Sequence, residues 1–496
     1  HGARARSLTG FACVLAVSAW WAAPNDWTAL RISEFKGLTR ALAVQEARLL
    51  TEHSNPLSLL SVVESPVVPF RYATGLSLTA PALPPAQLGI YEDGAFSTVV
   101  DLWRGEPGAL EYLAYSTDAL GYALAVPEAV LVLDSGGGHA VLQAIAHGAR
   151  LVDATEENPA MLHLVRDELA ARTGRLFSRP EVTVHLSETR HFVTAIERSW
   201  DLIKLPRLAG AGPASAQGLN EDFLLTREGL AAVYRRLSPE GWLSATAAID
   251  LPPRIGLKLV ATLDAALRAA GVAAPAEHLI AIRGLTTMTV LAKRGPVVER
   301  DIQALRIFTQ ERGFDLVHYP RMARTEANHR TKLAQPVFFD GVHALLGPDR
   351  GSFISHYKFD IAPTSDDRPY FHDVFSWSAL PEILVLGRAG GAALLELGEL
   401  ILVATLIQAF LLGAFLVLLP IRLRLAGRLS PALTWRFGIY FTALGVAFLF
   451  IEIAWIQRFV LLLGNPLYAV AVVLTGFLVF AALGAGSSKR LEVWLT

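Results

Sequence analysis

Hydrophobic positions along this chain fall into two regimes. At the C-terminal end they run almost without interruption. Leu400–Pro420 carries no charge over about the 20 residues that a bilayer span needs. Phe437–Leu463 predicts a second span and Leu467–Ala485 a third, with Gly464-Asn465-Pro466 as the turn between antiparallel helices. Near the start, Leu8–Ala23 is a shorter apolar run, expected to be the tail of a truncated span or a signal-like segment.

In the middle of the chain the pattern becomes one of short apolar, β-branched runs alternating with helical stretches. Val130–Leu133 predicts a fully buried strand. It leads into Asp134-Ser135-Gly136-Gly137-Gly138 and then Val141–Ala146, a helical composition. Strand, glycine turn and helix form the context of a nucleotide-binding loop, because glycines let the backbone approach a ligand and the helix start supplies free N–H groups. Ala149–Thr155 predicts a second strand, and Glu156 at its end lies 22 residues after Asp134. An acid at about that spacing grips ribose hydroxyls in dinucleotide-binding folds. Val182–Leu186, Asp201–Ile203 and Trp242–Ala245 predict three further strands, with a helix around Thr226–Leu237 and a turn at Ser238–Gly241. Alternation of this kind predicts an α/β fold, a Rossmann-like doubly wound sheet.

The expected order is a truncated apolar segment (1–24), a linker and small β-domain (25–125), a Rossmann-like domain (126–300), an appended α/β region with the membrane junction (301–395), and three transmembrane helices (396–496). Composition agrees with a membrane-attached chain: 52% of the 496 residues are hydrophobic and 18% charged, which excludes disorder. A net charge of −1 leaves no electrostatic case for nucleic acid. The single cysteine, Cys13, excludes an internal disulfide framework and a Cys-based metal site. Arg422, Arg424, Arg428 and Arg436 follow the first C-terminal span, Lys489 and Arg490 follow the third, and Arg4 and Arg6 precede the N-terminal run. By the positive-inside rule these flanks face the cytoplasm, and the middle of the chain lies on the other side of the membrane, a bacterial inner membrane in this reading. Glu452 and Arg458 lie within the second span, about 240° apart around a helix, too far to pair on one face. The histidines, His139, His147, His185, His191, His318 and His372 among them, show no metal-ligand spacing, and no metal is expected.

The ordered series VLVLDSGGG, VDATEENPAML, SETRHF, WDLIKLP and LSPEGWLS resembles class I S-adenosylmethionine-dependent folds. More closely, it resembles the membrane-embedded, spermidine-synthase-like (polyamine aminopropyltransferase-like) proteins of bacteria. TSDDRPYF, FIEIAWIQRFVLLLGNPLYA, SNPLSLLSVVES and LGIYEDGAFSTVV extend that resemblance over about residues 26–486. The resemblance implies that Asp134, Gly136 and Gly138 hold the methionine-like part of a nucleotide, Glu156 the ribose, and Glu188 the adenine side. The implied ligands are S-adenosylmethionine, its decarboxylated form or methylthioadenosine.

Two departures stand against catalysis. Aminopropyltransferases carry an aspartate in the glycine loop, where this chain has Gly137, and an aspartate-rich stretch after the fourth strand, where it has Lys204-Leu205-Pro206-Arg207. Aminopropyl transfer needs a carboxylate that binds a cationic amine and takes its proton. A lysine and an arginine there would repel a polycation instead. Asp93, Glu221 and Asp222 are the remaining acids that could line a cleft. No catalytic residue is assigned. The expectation is a degenerate transferase-type domain, serving as a scaffold or accessory subunit among membrane-protein partners. The alternative is an active membrane-bound transferase.

Overall fold

The computed structural model describes residue 18 and residues 32–124, 126–205, 220–381, 398–420, 431–463 and 466–495. Apart from Ser18, the Leu8–Ala23 run lies outside the described residues, as do Pro206, Arg207, Arg422, Arg424 and Arg428.

Strands β1 (Arg48–Ser54), β2 (Leu59–Glu64), β3 (Gln87–Glu92) and β4 (Ala95–Asp101) form a four-stranded antiparallel sheet in sequence order. This is the small β-domain. The large sheet comprises β5 (Ala129–Val132), β6 (Leu151–Glu156), β7 (Val182–Leu186), β8 (Trp200–Lys204), β9 (Leu237–Ala248), β10 (Leu279–Arg283), β11 (Thr287–Lys293) and β12 (Asp315–His318). Its order is β12-β10-β11-β9-β8-β5-β6-β7. From β7 to β9 all neighbours are parallel, and β11, β10 and β12 continue the sheet by antiparallel pairing.

The winding reverses at β5. From there the chain goes first to β6 and β7 on one side, then to β8 and β9 on the other. A crevice therefore opens beyond the carboxyl ends of β5 and β8, the place where ligands bind in doubly wound sheets. The α/β, Rossmann-like fold is thus established by topology. β9 differs from expectation: it starts at Leu237, and Ser238–Gly241 is a bulge within it, with Trp200 paired to Leu237 but Leu202 already to Trp242. Gly241 permits this because a Cβ there would lie 2.8 Å from the Trp200 carbonyl oxygen.

β5 is buried on both faces, which explains its unbroken apolar run. Val130 and Val132 pack with Leu142 and Val152 on one side of the sheet, while Leu131 and Leu133 pack with Val193 and Ile203 on the other. Two buried carboxylates are paired. Asp153 accepts from Trp200 Nε1 at 2.9 Å and contacts His185 Nε2 at 3.0 Å and Arg198 Nη1 at 3.0 Å. Asp101, at the end of β4, accepts from Gln87 Nε2, from the Tyr112 hydroxyl and from His139 Nδ1, each at 2.8 Å. It fastens the small sheet to the first residue of the His139–Ala146 helix.

At the C-terminal end, the helix Gly398–Gly413 continues as a wider turn through Leu418, followed by helices Pro431–Leu463 and Pro466–Leu495. Two of them are long and apolar enough to cross a membrane, over Trp435–Val460 and Leu467–Ser487. Among the described residues, Leu400–Leu416 is apolar but shorter. The two long helices pack side by side, with Phe448 edge-on to Phe477 at 5.1 Å.

Asp101 has three donors and almost no exposure, so its removal orphans groups in the small sheet, in the Pro107–Tyr115 turn and at the start of the His139–Ala146 helix. Asp101→Ala is expected to cost about 3–5 kcal/mol in chemical denaturation of the detergent-purified chain. A loss under 1 kcal/mol would show that the sheets are held by other contacts.

Candidate functional site

The glycine loop is built by backbone geometry that only certain residues tolerate. Asp134, Gly136 and Gly138 all have positive φ, at 55°, 47° and 86°. Asp134 N donates to Thr155 Oγ1 at 3.0 Å, and Ser135 N to the Thr155 carbonyl at 2.8 Å. The loop is thereby stitched to the end of β6. Glu156 completes the stitch: one carboxylate oxygen accepts from Gly136 N at 3.0 Å, the other from Asn158 N at 2.9 Å. Asn158 reaches the small sheet through Asn55 Nδ2 at 2.6 Å and Ser58 Oγ at 3.0 Å.

Gly137 occupies the tightest position in the loop. A Cβ there would sit 2.1 Å from the Val99 carbonyl oxygen and 2.8 Å from the carbonyl carbon. Strand β4 of the small sheet is seated directly on the loop. At the next position, the Gly138 Cβ would meet Leu176 at 2.8 Å and Phe177 at 3.0 Å. The absence of an aspartate at 137 is therefore a packing requirement: backbone cannot give way as a flexible side chain would.

Acids gather around this loop. Asp134 follows β5, Glu156 and Glu157 stand at the end of β6, and Glu188 follows β7. Glu92 at the end of β3 and Asp222 complete the group: Glu92 is raised by burial and then by the charge of Asp134. Burial, with Asp134 and Glu188 behind it, pushes Asp222 up to about 6. Burial and the Asp134 charge push Glu156 up to about 8, and the same causes push Glu157 up to about 7. Asp134 lies deep in the crevice with one face open to water, and the protein around it strips part of its hydration and raises its pKa. Among the described residues, none of the six is in an ion pair, and no group of His, Cys, Asp or Glu converges to hold a metal ion. The crevice is a diffuse, uncompensated acidic surface.

The sequence-derived residues Asp134, Gly136, Gly138, Glu156 and Glu188 all lie at this crevice, but two do structural work there. Glu156 ties the loop to β6. Glu188 caps the Thr189–Ala195 helix, accepting from Arg190 N at 2.8 Å and His191 N at 2.6 Å. Asp222 joins the crevice acids, with its own Oδ1 accepting from Leu224 N and Leu225 N. Asp93 instead accepts from Leu59 N at 2.9 Å and braces the β3–β4 hairpin. Glu157, Glu92 and Ser135 were not legible as site residues. Glu157 had a signal in its place beside Glu156 at a strand end; Glu92 depended on the meeting of two sheets. Ser135 Oγ is buried without a partner among the described residues.

Lys204 corrects the expectation of a repulsive cation in the crevice. Its ammonium is buried beneath the sheet, donating to Gln143 Oε1 at 2.5 Å and the Asp118 carbonyl at 3.0 Å, with Asp118 Oδ2 at 3.3 Å and the Tyr122 ring at 5.3 Å. It anchors the core rather than facing a ligand. The Asp366-Asp367-Arg368 group reaches across to the domain. Asp366 accepts from Thr226 Oγ1 at 2.6 Å and from Arg190 Nη2 at 3.3 Å.

No protein-family model and no curated protein sequence matches the chain. Among solved structures, it is similar to a Thermotoga maritima spermidine synthase at 17% identity and a TM-score of 0.35, covering 53% of this chain and 78% of that one. A probable spermidine synthase from Corynebacterium glutamicum gives 15% identity and a TM-score of 0.37, over 53% and 87% of the two chains. Human methyltransferase-like protein 13, in complex with SAH, gives 18% and 0.26, over 40% and 88%. At these scores the fold rests on strand order, not on likeness.

Two measurements follow from the loop. Gly137→Ala should destabilise the chain by about 1–3 kcal/mol, the typical range for steric overpacking, and a neutral result in denaturant titration would refute the Val99 seat. The raised carboxyls also fix a pH dependence. Their folded pKa values exceed the unfolded ones, so the folded state binds more protons between pH 5 and 8, and stability falls as pH rises through that window. The slope is at most about 1.4 kcal/mol per pH unit for each group. Glu156→Gln should flatten the curve; parallel curves for variant and wild type would contradict the assignment.

Proposed function

We propose that this chain is a membrane-anchored protein whose spermidine-synthase-like domain does not catalyse transfer and serves as a scaffold or accessory subunit among membrane-protein partners. The observation that carries this reading is the seat of Gly137 on the Val99 carbonyl. It excludes a side chain at the position where the resembling enzymes place a loop aspartate. Lys204, at the end of β8, is tied beneath the sheet and supplies neither an acid nor a base to the crevice.

Anchoring is supported by exposure as well as hydropathy. None of the most apolar window within Trp435–Val460 is buried, and 11% of that in Leu467–Ser487, whereas a core helix of a soluble protein would be covered. The contact of Gln457 Nε2 with Glu221 Oε1 at 3.2 Å places the C-terminal end of the Pro431–Leu463 helix beside the domain. Arg436 is then at the far end, as are Lys489 and Arg490 at the far end of the following helix. Basic residues on the face away from the domain favour an extracytoplasmic domain on a bacterial inner membrane. S-adenosylmethionine is not expected there.

A second reading keeps nucleoside binding. Glu156 retains acceptor capacity beyond its two backbone donors, and the surrounding acids suit a sulfonium or ammonium ligand. Calorimetry on the detergent-purified chain separates the two readings, with S-adenosylmethionine, its decarboxylated form and methylthioadenosine as titrants. The scaffold reading predicts no heat at millimolar ligand. Micromolar binding that is lost in Glu156→Ala would overturn it and favour a transferase. Orientation is read independently by labelling Glu197→Cys in a Cys13→Ser background with an impermeant maleimide on spheroplasts. Labelling without lysis is expected, and labelling only after lysis would place the domain in the cytoplasm.

A further inference from the structure

The crevice and the membrane helices are connected through one short segment. Glu221 accepts from Gln457, three residues before the end of the Trp435–Val460 apolar window, and from the Tyr370 hydroxyl at 3.1 Å. The next residue, Asp222, is one of the crevice acids, and its backbone N–H donates to the Pro369 carbonyl at 2.7 Å. One peptide unit therefore separates a group bonded to a membrane helix from a group lining the crevice. Helix position and the apolar window together put that junction at the level of the lipid headgroups.

The surroundings fit the same placement. Leu186, the last residue of β7 and two before Glu188, is 56% exposed at the rim. Trp377, shortly after the Tyr370 segment, is 57% exposed and edge-on to Phe375 at 5.2 Å. An isolated exposed leucine needs no explanation, whereas an exposed tryptophan in the segment that follows Tyr370 matches the interfacial preference of that side chain. Among the described residues, the crevice carries six carboxyls outside any ion pair and, in its glycine loop, the unpartnered, buried Ser135 hydroxyl. A surface of that charge repels phosphate-only headgroups and attracts ammonium.

We propose that the crevice end of the domain rests on the bilayer face and that its carboxylates engage the primary ammonium headgroup of an aminophospholipid. The site is closed to an adenosyl donor by nothing in this inference; it rests only on the membrane-anchored part of the proposed function. A lipid-borne amine would reach Asp222 and Glu157 along the membrane surface, with no need for a soluble ligand to enter the crevice.

Zero-length coupling tests this on the full-length protein in nanodiscs of phosphatidylglycerol, with or without phosphatidylethanolamine. A water-soluble carbodiimide activates a carboxyl, and an amine in contact with it forms an amide as the reagent takes up the water and leaves as its urea. Peptide mass spectrometry should find phosphatidylethanolamine adducts on Glu157 and Asp222 about tenfold above those on exposed Glu111, equivalent to about 1.4 kcal/mol of preferential contact. In Glu157→Gln the adduct at 157 should vanish while that on Asp222 persists, which also shows that the variant is folded. Adducts no more frequent in the crevice than on Glu111 would overturn the proposal. Crevice labelling by free ethanolamine in phosphatidylglycerol discs, without labelling by the lipid, would overturn it in favour of a soluble amine. Carbonate extraction of the source membranes reads anchoring by itself, so a chain that is released fails the membrane-anchored reading rather than this one.

Discussion

The contact between the Gly137 backbone and the Val99 carbonyl constrains most of what this protein can do. It lies at the glycine loop after β5, where the small sheet meets the large one, beside an apolar core to which both contribute, Leu60, Val62, Leu88 and Ile90 from the first and Val130, Val132 and Val152 from the second. Because backbone meets backbone, the loop position can accept no side chain, whatever its charge. The hydrogen bonds of Glu156 to Gly136 and Asn158 and the pair between Asp101 and His139 hold the two surfaces in that seat. A carboxylate at the loop apex and this interface are mutually exclusive in this architecture.

Around the seat, the electrostatics favour binding over proton transfer. A general base must sit near its working pKa and within reach of the proton it removes. Glu156 has a pKa displaced toward neutrality, but both its oxygens already accept backbone N–H groups. Glu157 is displaced too and, among the described residues, is in no ion pair. Uncompensated carboxyls make the folded state less stable as pH rises and make it gain from any cation that occupies the crevice. The same segment that contributes Asp222 touches the long apolar helix Pro431–Leu463, through Glu221 and Gln457.

Much of this was legible in the sequence. The buried strand Val130–Leu133, the glycine turn and the acid 22 residues on located the crevice, because the doubly wound fold ties those features together. Glu156 and Glu188 were found for their position and type. What could not be read was how their oxygens are used, since capping a helix and gripping a ribose need the same side chain. Lys204 misled for a related reason. In an alternating strand, one residue of register decides whether a side chain faces the ligand or the core, and its buried partners Asp118 and Gln143 come from distant segments. Gly137 read as the absence of a loop aspartate; the packing of β4 adds that a side chain there would meet the Val99 carbonyl. The bulge at Ser238–Gly241 escaped because its residues have turn composition while their neighbours continue the strand.

The domain keeps the fold, and the proposed scaffold role requires that it does not catalyse aminopropyl transfer. The most direct measurement is release of methylthioadenosine by the purified full-length chain, supplied with decarboxylated S-adenosylmethionine and putrescine, spermidine or ethanolamine as acceptor. The account predicts release at the level of the protein-free control for every acceptor. Release above that control, abolished by Glu157→Gln, would contradict it and identify the crevice as an active site.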